Sequence, residues 1–194
     1  MFPDMKEREI TALEEGLGYH FRRRAVIEQA VTHSSQAREM EAQQAGDSKY
    51  RVRDNEQLEF LGDAALALVT VDTDVPTSGY PEEQLKMYKN FIRSQAYFVI
   101  GTAAFKSSNW AEAEANLKKS IDALPQQPDV IAVYRLALSL DFQNKIPEAL
   151  KAAQQAVELT KDNPDSAAGK AARQEQDRLM KYAQTGTPST PPKN

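Results

Sequence analysis

Asn55-Glu56-Gln57-Leu58-Glu59-Phe60-Leu61-Gly62-Asp63-Ala64-Ala65-Leu66 is the most particular stretch of this sequence. Asp54 or Asn55 makes a good N-cap, and the residues that follow are predicted to form a helix from Glu56 to about Val71. On that helix Glu56, Glu59 and Asp63 fall at i, i+3 and i+7 and share a face, with Glu59 and Asp63 one turn apart. Three carboxylates on one face repel one another unless solvent or a cation relieves them. Oxygen donors of this kind suit Mg²⁺ or Mn²⁺. Two such ions about 4 Å apart activate water and stabilise a leaving oxygen in phosphodiester hydrolysis. Gly62 beside the pair permits close approach of a ligand. Spacing alone favours a plainer reading, a solvated acidic face, because charged helix faces are common.

The string itself is more informative than its spacing. Upstream, residues 5–17 read as a helix, with Ile10, Leu13 and Leu17 at i, i+3 and i+7 and Gly18 as its stop. Residues 24–33 form a second helical run, and residues 34–54 read as a polar connection broken at Gly46-Asp47-Ser48. Leu13-Glu14-Glu15-Gly16-Leu17-Gly18-Tyr19-His20-Phe21, then Gln29-Ala30-Val31-Thr32-His33-Ser34-Ser35, then Glu56-Gln57-Leu58-Glu59-Phe60-Leu61-Gly62-Asp63-Ala64 occur in that order. Together they resemble the catalytic domain of the ribonuclease III family over about residues 5–70. The resemblance implies a helical fold and metal-dependent endonucleolytic cleavage of double-stranded RNA. It implies that Glu59 and Asp63 coordinate Mg²⁺ or Mn²⁺, and that Glu56 and Asp63 carry catalysis. It also leaves a homodimer open, because domains of that family form their cleft between two copies. Thr32-His33-Ser34-Ser35 matches a helix-end motif of the family, so His33 is expected to pack or cap rather than catalyse.

The resemblance stops early. The family's second acidic pair, carried on a later helix, has no counterpart in its expected context. Asp122 and Asp141 sit inside a different pattern, and Glu83 reads as the first turn of the next helix. The family's downstream RNA-binding domain is also missing from the sequence. Charge points the same way. Residues 1–75 hold 9 Lys/Arg against 15 Asp/Glu, net −6, while the remainder holds 15 against 13, net +2. Phosphate recognition leans on clustered cations. The one tight basic run, Arg22-Arg23-Arg24, reads as a solvated turn.

Residues 71–80 have linker composition, with Asp72, Asp74, Pro76, Thr77, Ser78 and Gly79. Past Pro81 the chain is predicted to be helical to about Tyr182, with breaks at Ser107-Ser108-Asn109, residues 125–129, residues 144–147 and residues 163–165. This stretch is self-similar. Tyr97, Ile100, Gly101 and Ala104, a turn at Ser108-Asn109, then Ala113 and Leu117 are echoed by Val133, Leu136, Ala137 and Leu140, a turn at Asn144-Lys145, then Ala149 and Ala153. Ala113 to Ala149 is 149 − 113 = 36 residues, near the tetratricopeptide (TPR) period of about 34. The pattern resembles the TPR family over about residues 94–160. That resemblance implies antiparallel helix pairs and a groove for a protein or peptide, presented by Phe98, Thr102, Phe105, Tyr134, Leu138 and Phe142. The alternative is that these side chains are simply core. Helices at 81–94 and 166–182 are expected to cap the ends.

The sequence thus predicts an all-α chain: residues 1–70 a truncated ribonuclease III-like segment, 71–80 a linker, 81–183 TPR-like helix pairs, and 184–194 a disordered tail. It has no cysteine, so disulfides and thiolate metal sites are excluded. No stretch approaches the roughly 18 apolar residues of a membrane span, and residues 1–10 lack the apolar run of a signal peptide. A cytoplasmic protein is expected. Two functions compete: an endoribonuclease weakened by an incomplete site, and a non-catalytic protein-interaction module carrying a vestigial nuclease segment.

Overall fold

Proline punctuates the chain after residue 80. Each proline lacks a backbone donor and cannot sit inside a regular helix without cost. Pro81, Pro125, Pro128, Pro147 and Pro164 accordingly fall at helix starts or in connections. The computed structural model describes residues 15–16, 20, 29–30, 32, 34–43, 55–75 and 79–186, and every regular element among them is an α-helix. We label the helices α1 (Ser34–Gln43), α2 (Glu56–Thr70), α3 (Glu82–Lys106), α4 (Trp110–Ala123), α5 (Val130–Phe142), α6 (Ile146–Leu159) and α7 (Ala167–Thr185). No described helix is long and apolar enough to cross a membrane.

The chain divides into two compact units, Met1–Phe60 and Leu61–Asn194. In the first, α1 occupies part of what the sequence presents as a polar connection. Its residues are mostly Gln, Glu, Ala, Arg and Met, with no Gly or Pro, so propensity forms a helix without apolar periodicity. Of the helices expected at 5–17 and 24–33, only short helical pieces at 15–16 and 29–30 are described. Gly18, Arg22-Arg23-Arg24, His33, Gly46-Asp47-Ser48 and the tail beyond residue 186 lie outside the described residues.

The second unit is built from sequential pairs. The expected capping helix at 81–94 is not separate: α3 runs unbroken for 25 residues. No Gly or Pro interrupts it at Arg93-Ser94-Gln95, and Ser94 is buried against α4. There the Ser94 hydroxyl donates to the Ser120 carbonyl at 2.9 Å, and the Ser120 hydroxyl returns the bond to the Ser94 carbonyl at 2.8 Å. Further along, Gly101 meets Leu117 so closely that an added Cβ would lie 2.9 Å from Leu117 Cγ. Small residues thus bring the two antiparallel helices into direct contact.

Within each pair the two helices are joined by the same turn. Ser108 and Asn144 both adopt left-handed backbone, at φ 58° and 59°, and 144 − 108 = 36. Asn109 N–H bonds the Ala104 carbonyl, and Lys145 N–H bonds the Leu140 carbonyl, each at 2.9 Å. These are the six-to-one bonds of a Schellman ending, which satisfy carbonyls the helix leaves open. Burial repeats with them. Ala113 and Ala149, and Leu117 and Ala153, are all inaccessible to solvent.

Contacts between alternate helices run in parallel. Arg135 on α5 reaches Phe98 and Thr102 on α3, and Arg178 on α7 reaches Asp141 on α5. So α3, α5 and α7 meet as one layer, with α4 and α6 packed between successive members. The core lies between the layers, on Phe105, Leu117, Leu136, Leu138, Leu140 and Leu179. Here α7 runs to Thr185, three residues past the expected helix end at Tyr182, and Gly186 closes it in left-handed backbone.

Candidate functional site

Helix α2 opens with acidic residues where the macrodipole favours them, Glu56 and Glu59 in its first turn. Its predicted limits, 56 to about 71, match the observed Glu56–Thr70 closely. The Asn55 N–H is bonded to the Thr32 carbonyl at 2.9 Å, which fixes the start of the helix within the first unit. The Asn55 side chain does not cap in the usual way. Its amide donates to Glu59 Oε1 at 2.6 Å, while its own Oδ1 is buried and has no partner. Glu56, Glu59 and Asp63 are exposed, as the single-face spacing requires. Among the described residues no group of three or more His, Cys, Asp or Glu converges to hold a metal. For a divalent cation, α2 therefore offers two carboxylates one turn apart, one of them already sharing an oxygen with Asn55. That suits a single ion held mainly by water, not a fixed pair of ions.

The turn after α2 is anchored within the second unit. Arg93 Nη2 holds both carboxylate oxygens of Asp72, at 2.6 and 2.7 Å, and Lys89 Nζ lies 3.6 Å from the same group. The Arg93 hydrogen bond, ahead of opposing desolvation, lowers the Asp72 carboxyl below its ordinary value.

The six side chains expected to line a groove fall into two sets. Phe105 and Leu138 are buried in the core. Phe98, Thr102 and Tyr134 are half-buried, and Phe142 is exposed. Trp110 ties part of this surface together, edge-on to Phe105 at 5.3 Å and stacked on Phe142 at 4.2 Å.

Three charged clusters were not foreseen from sequence. Glu114, on α4, accepts from Lys118 Nζ and Lys145 Nζ at 2.6 Å each and from Gln143 Nε2 at 2.9 Å. Burial would raise its carboxyl, but these hydrogen bonds outweigh it and bring the group down to about 2. The second cluster is Arg178 between Asp141 and the fully buried Glu175, at 2.6 and 2.7 Å. Desolvation pushes the Asp141 carboxyl up, against the pull of Arg178. The third is Arg135, half-buried, donating to Thr102 Oγ1 at 2.8 Å with its guanidinium 5.5 Å from the centre of the Phe98 ring. Arg135 is the single basic residue of a mostly apolar helix, the one sequence signal that marks it.

Part of the chain is similar to ribonuclease 3 of several bacteria. It is 47% identical to that of Oceanobacillus iheyensis over 60 residues, 31% of this chain and 23% of that protein. It is 44% identical to that of Geobacter metallireducens over 59 residues, 30% of this chain and 22% of that protein. It is 36% identical to that of Caulobacter vibrioides over 69 residues, 36% of this chain and 26% of that protein. The chain thus spans about a quarter of the length of these curated relatives. No family model matches it, and no solved structure matches it.

Proposed function

We propose that residues 5–70 are the front part of a ribonuclease III-type nuclease domain, and that the chain is at most a weak metal-dependent endonuclease on double-stranded RNA. The observation that carries this is the acidic face of α2, Glu56, Glu59 and Asp63, set in a string that follows the family signature. In this reading Glu59 and Asp63 hold Mg²⁺ or Mn²⁺, and Glu56 and Asp63 support catalysis. When bound, the cation supplies Lewis-acid stabilisation of the leaving oxygen and a more acidic water. The helix positions its carboxylates at helical spacing, and Asn55 restrains Glu59. What is missing is the second acidic pair, and without it the ion lacks a fixed position relative to a phosphodiester.

Incubation of the purified chain with long duplex RNA and Mg²⁺ or Mn²⁺, beside Glu59→Ala and Asp63→Ala, tests the reading. Little or no cleavage by the unaltered chain is expected. Efficient cleavage, lost in both variants, would show that the site is complete after all. Titration with Mn²⁺ followed by electron paramagnetic resonance is expected to give weak binding that both variants abolish. Failure to see any such binding would remove the nuclease reading altogether.

A second reading is favoured by a separate observation, the 36-residue recurrence of turn geometry and burial in α3–α6. In this reading α3–α7 form a TPR-like module that binds a protein or peptide along the layer of α3, α5 and α7. Phe98, Thr102, Tyr134 and Phe142 supply its accessible surface, and residues 71–80 join it to the nuclease-like segment.

A further inference from the structure

A single exposed apolar side chain is ordinary, but a run of them along one helix face is not. The buried residues of α3 begin at Ser94, where the helix meets Ser120 of α4. The part before it, residues 82–93, has two unlike faces. On one, Lys89 and Arg93 lie one turn apart, half-buried, and Asp72 in the turn after α2 holds both. On the other, Met87, Tyr88 and Phe91 are 66%, 56% and 49% exposed, and Tyr80, just before the helix, is 65% exposed. Two residues along a helix turn it by about 200°. The Asp72 anchor at Lys89 therefore draws the turn after α2 to the side away from Met87, and the apolar face stays open.

Size and charge narrow the occupant. At about 200 Å² of surface for a large side chain, these four leave roughly 450 Å² of apolar surface open, a size at which a patch is commonly an interaction site. Pairing the patch with itself buries roughly 900 Å² before the polar rim is counted, and a specific interface needs about 1,000 Å². An unrelated partner must bring a matching apolar face, whereas a second copy supplies one by symmetry. A membrane surface fits poorly, because the helix opens with Glu82 and Glu83 rather than with cations. The charges also set a direction. Lys89 and Arg93 share one carboxylate, so one positive charge is left over. Antiparallel packing brings the acidic first turn of each copy beside the Lys89–Arg93 turn of the other and opposes the two macrodipoles. Parallel packing would set like charge against like.

We propose that the first half of α3 is a homodimer interface, in which two copies pack antiparallel about a two-fold axis near Met87 and Tyr88. It depends on neither reading of the function. It is also a different face from the acidic helix α2, on which the ribonuclease III resemblance leaves a dimer open.

The test is sedimentation velocity on the full chain over a range of concentrations. A reversible monomer–dimer equilibrium with a Kd on the order of 10 µM is expected, as suits an interface at the lower end of the size range. Met87→Glu combined with Phe91→Glu should weaken it at least about tenfold. Circular dichroism should show the same helix content, because neither side chain is buried. Phe60→Glu, at an equally exposed position on α2, should leave the dimer unchanged. The chain has no cysteine, so introduced ones report the geometry. Under mild oxidation Met87→Cys should give a disulfide-linked dimer. Gln84→Cys should not, because its two copies would lie about 10 Å apart along the helices, beyond the reach of a disulfide. A monomer at every concentration, or a dimer that survives the Met87 and Phe91 changes, would overturn the proposal. Loss of the dimer in Phe60→Glu alone would move the interface to α2 and overturn it too. Linking of Gln84→Cys rather than Met87→Cys would overturn the antiparallel arrangement. Open-ended oligomers would mean that this face stacks on a different surface of the next copy, and would overturn the two-fold axis.

Discussion

Helices α2 and α5 are similar in length and in apolar content, yet they use their charges in opposite ways. On α2 the three carboxylates are exposed, and so are Phe60, Leu66 and Val69, at 65%, 61% and 78%. On α5 most of the apolar residues are buried, Ala132, Val133, Leu136, Ala137, Leu138 and Leu140 among them, and its two charges, Arg135 and Asp141, are drawn into the packing. A helix whose acids face water contributes little to stability through them, and those acids are available for chemistry. A helix whose charges are buried depends on their partners. The contrast separates a string that reads as a site from a region that reads as a scaffold.

The strongest way to break this comparison is to remove a buried partner. Glu175→Ala takes from Arg178 a fully buried carboxylate at 2.7 Å, and is expected to cost about 3–5 kcal/mol, read as a lower midpoint in urea unfolding. Asp141→Asn sharpens the point. The Asp141 pKa is raised in the folded state by desolvation, so its contribution favours folding below its ordinary value and is lost as pH rises through the folded one. At neutral pH the amide variant should therefore lose far less than Glu175→Ala.

The next largest effect is expected at Glu114. Its pKa is lowered in the fold, so its contribution is present above about 4.5 and disappears as pH falls toward about 2. Glu114→Gln should lower stability at pH 7 by roughly 2 kcal/mol and flatten the acid limb of a stability–pH curve over that window. A curve of unchanged shape would mean that the Lys118 and Lys145 contacts contribute nothing. Gly101→Ala should cost about 1–3 kcal/mol, because the new methyl meets the base of Leu117 rather than a flexible end. The smallest effect belongs to α2. Glu59→Ala and Asp63→Ala should each change the unfolding free energy by no more than about 0.5 kcal/mol. A larger loss would make the acidic face structural and end the comparison.

Much of this was legible in the sequence. The limits of α2, the turns at Ser107-Ser108-Asn109 and Asn144, and the 36-residue echo all follow from local chemistry: acidic residues in a first turn, small polar turn residues, and repeated alanines at helical spacing. Helix α1 was not legible, because it rests on propensity without an apolar stripe. The continuity of α3 was not legible either. The repeat pattern begins at Tyr97, and nothing in the preceding residues says that they share its axis. Arg135 and Glu114 depend on which helices lie side by side. Thirty-three residues separate Arg135 from Thr102 and 31 separate Lys145 from Glu114, and only the fold brings such pairs together. The candidate nuclease site is legible for the opposite reason, since all three acids lie on one helix.

The matched turns at Ser108 and Asn144 make length an adjustable property of this scaffold. A unit cut at one turn and spliced at the next would meet matching backbone geometry and the same small buried residues, Ala113 and Ala149, at both ends. Copies could then be added or removed in steps of 36 residues, lengthening the α3–α5–α7 layer.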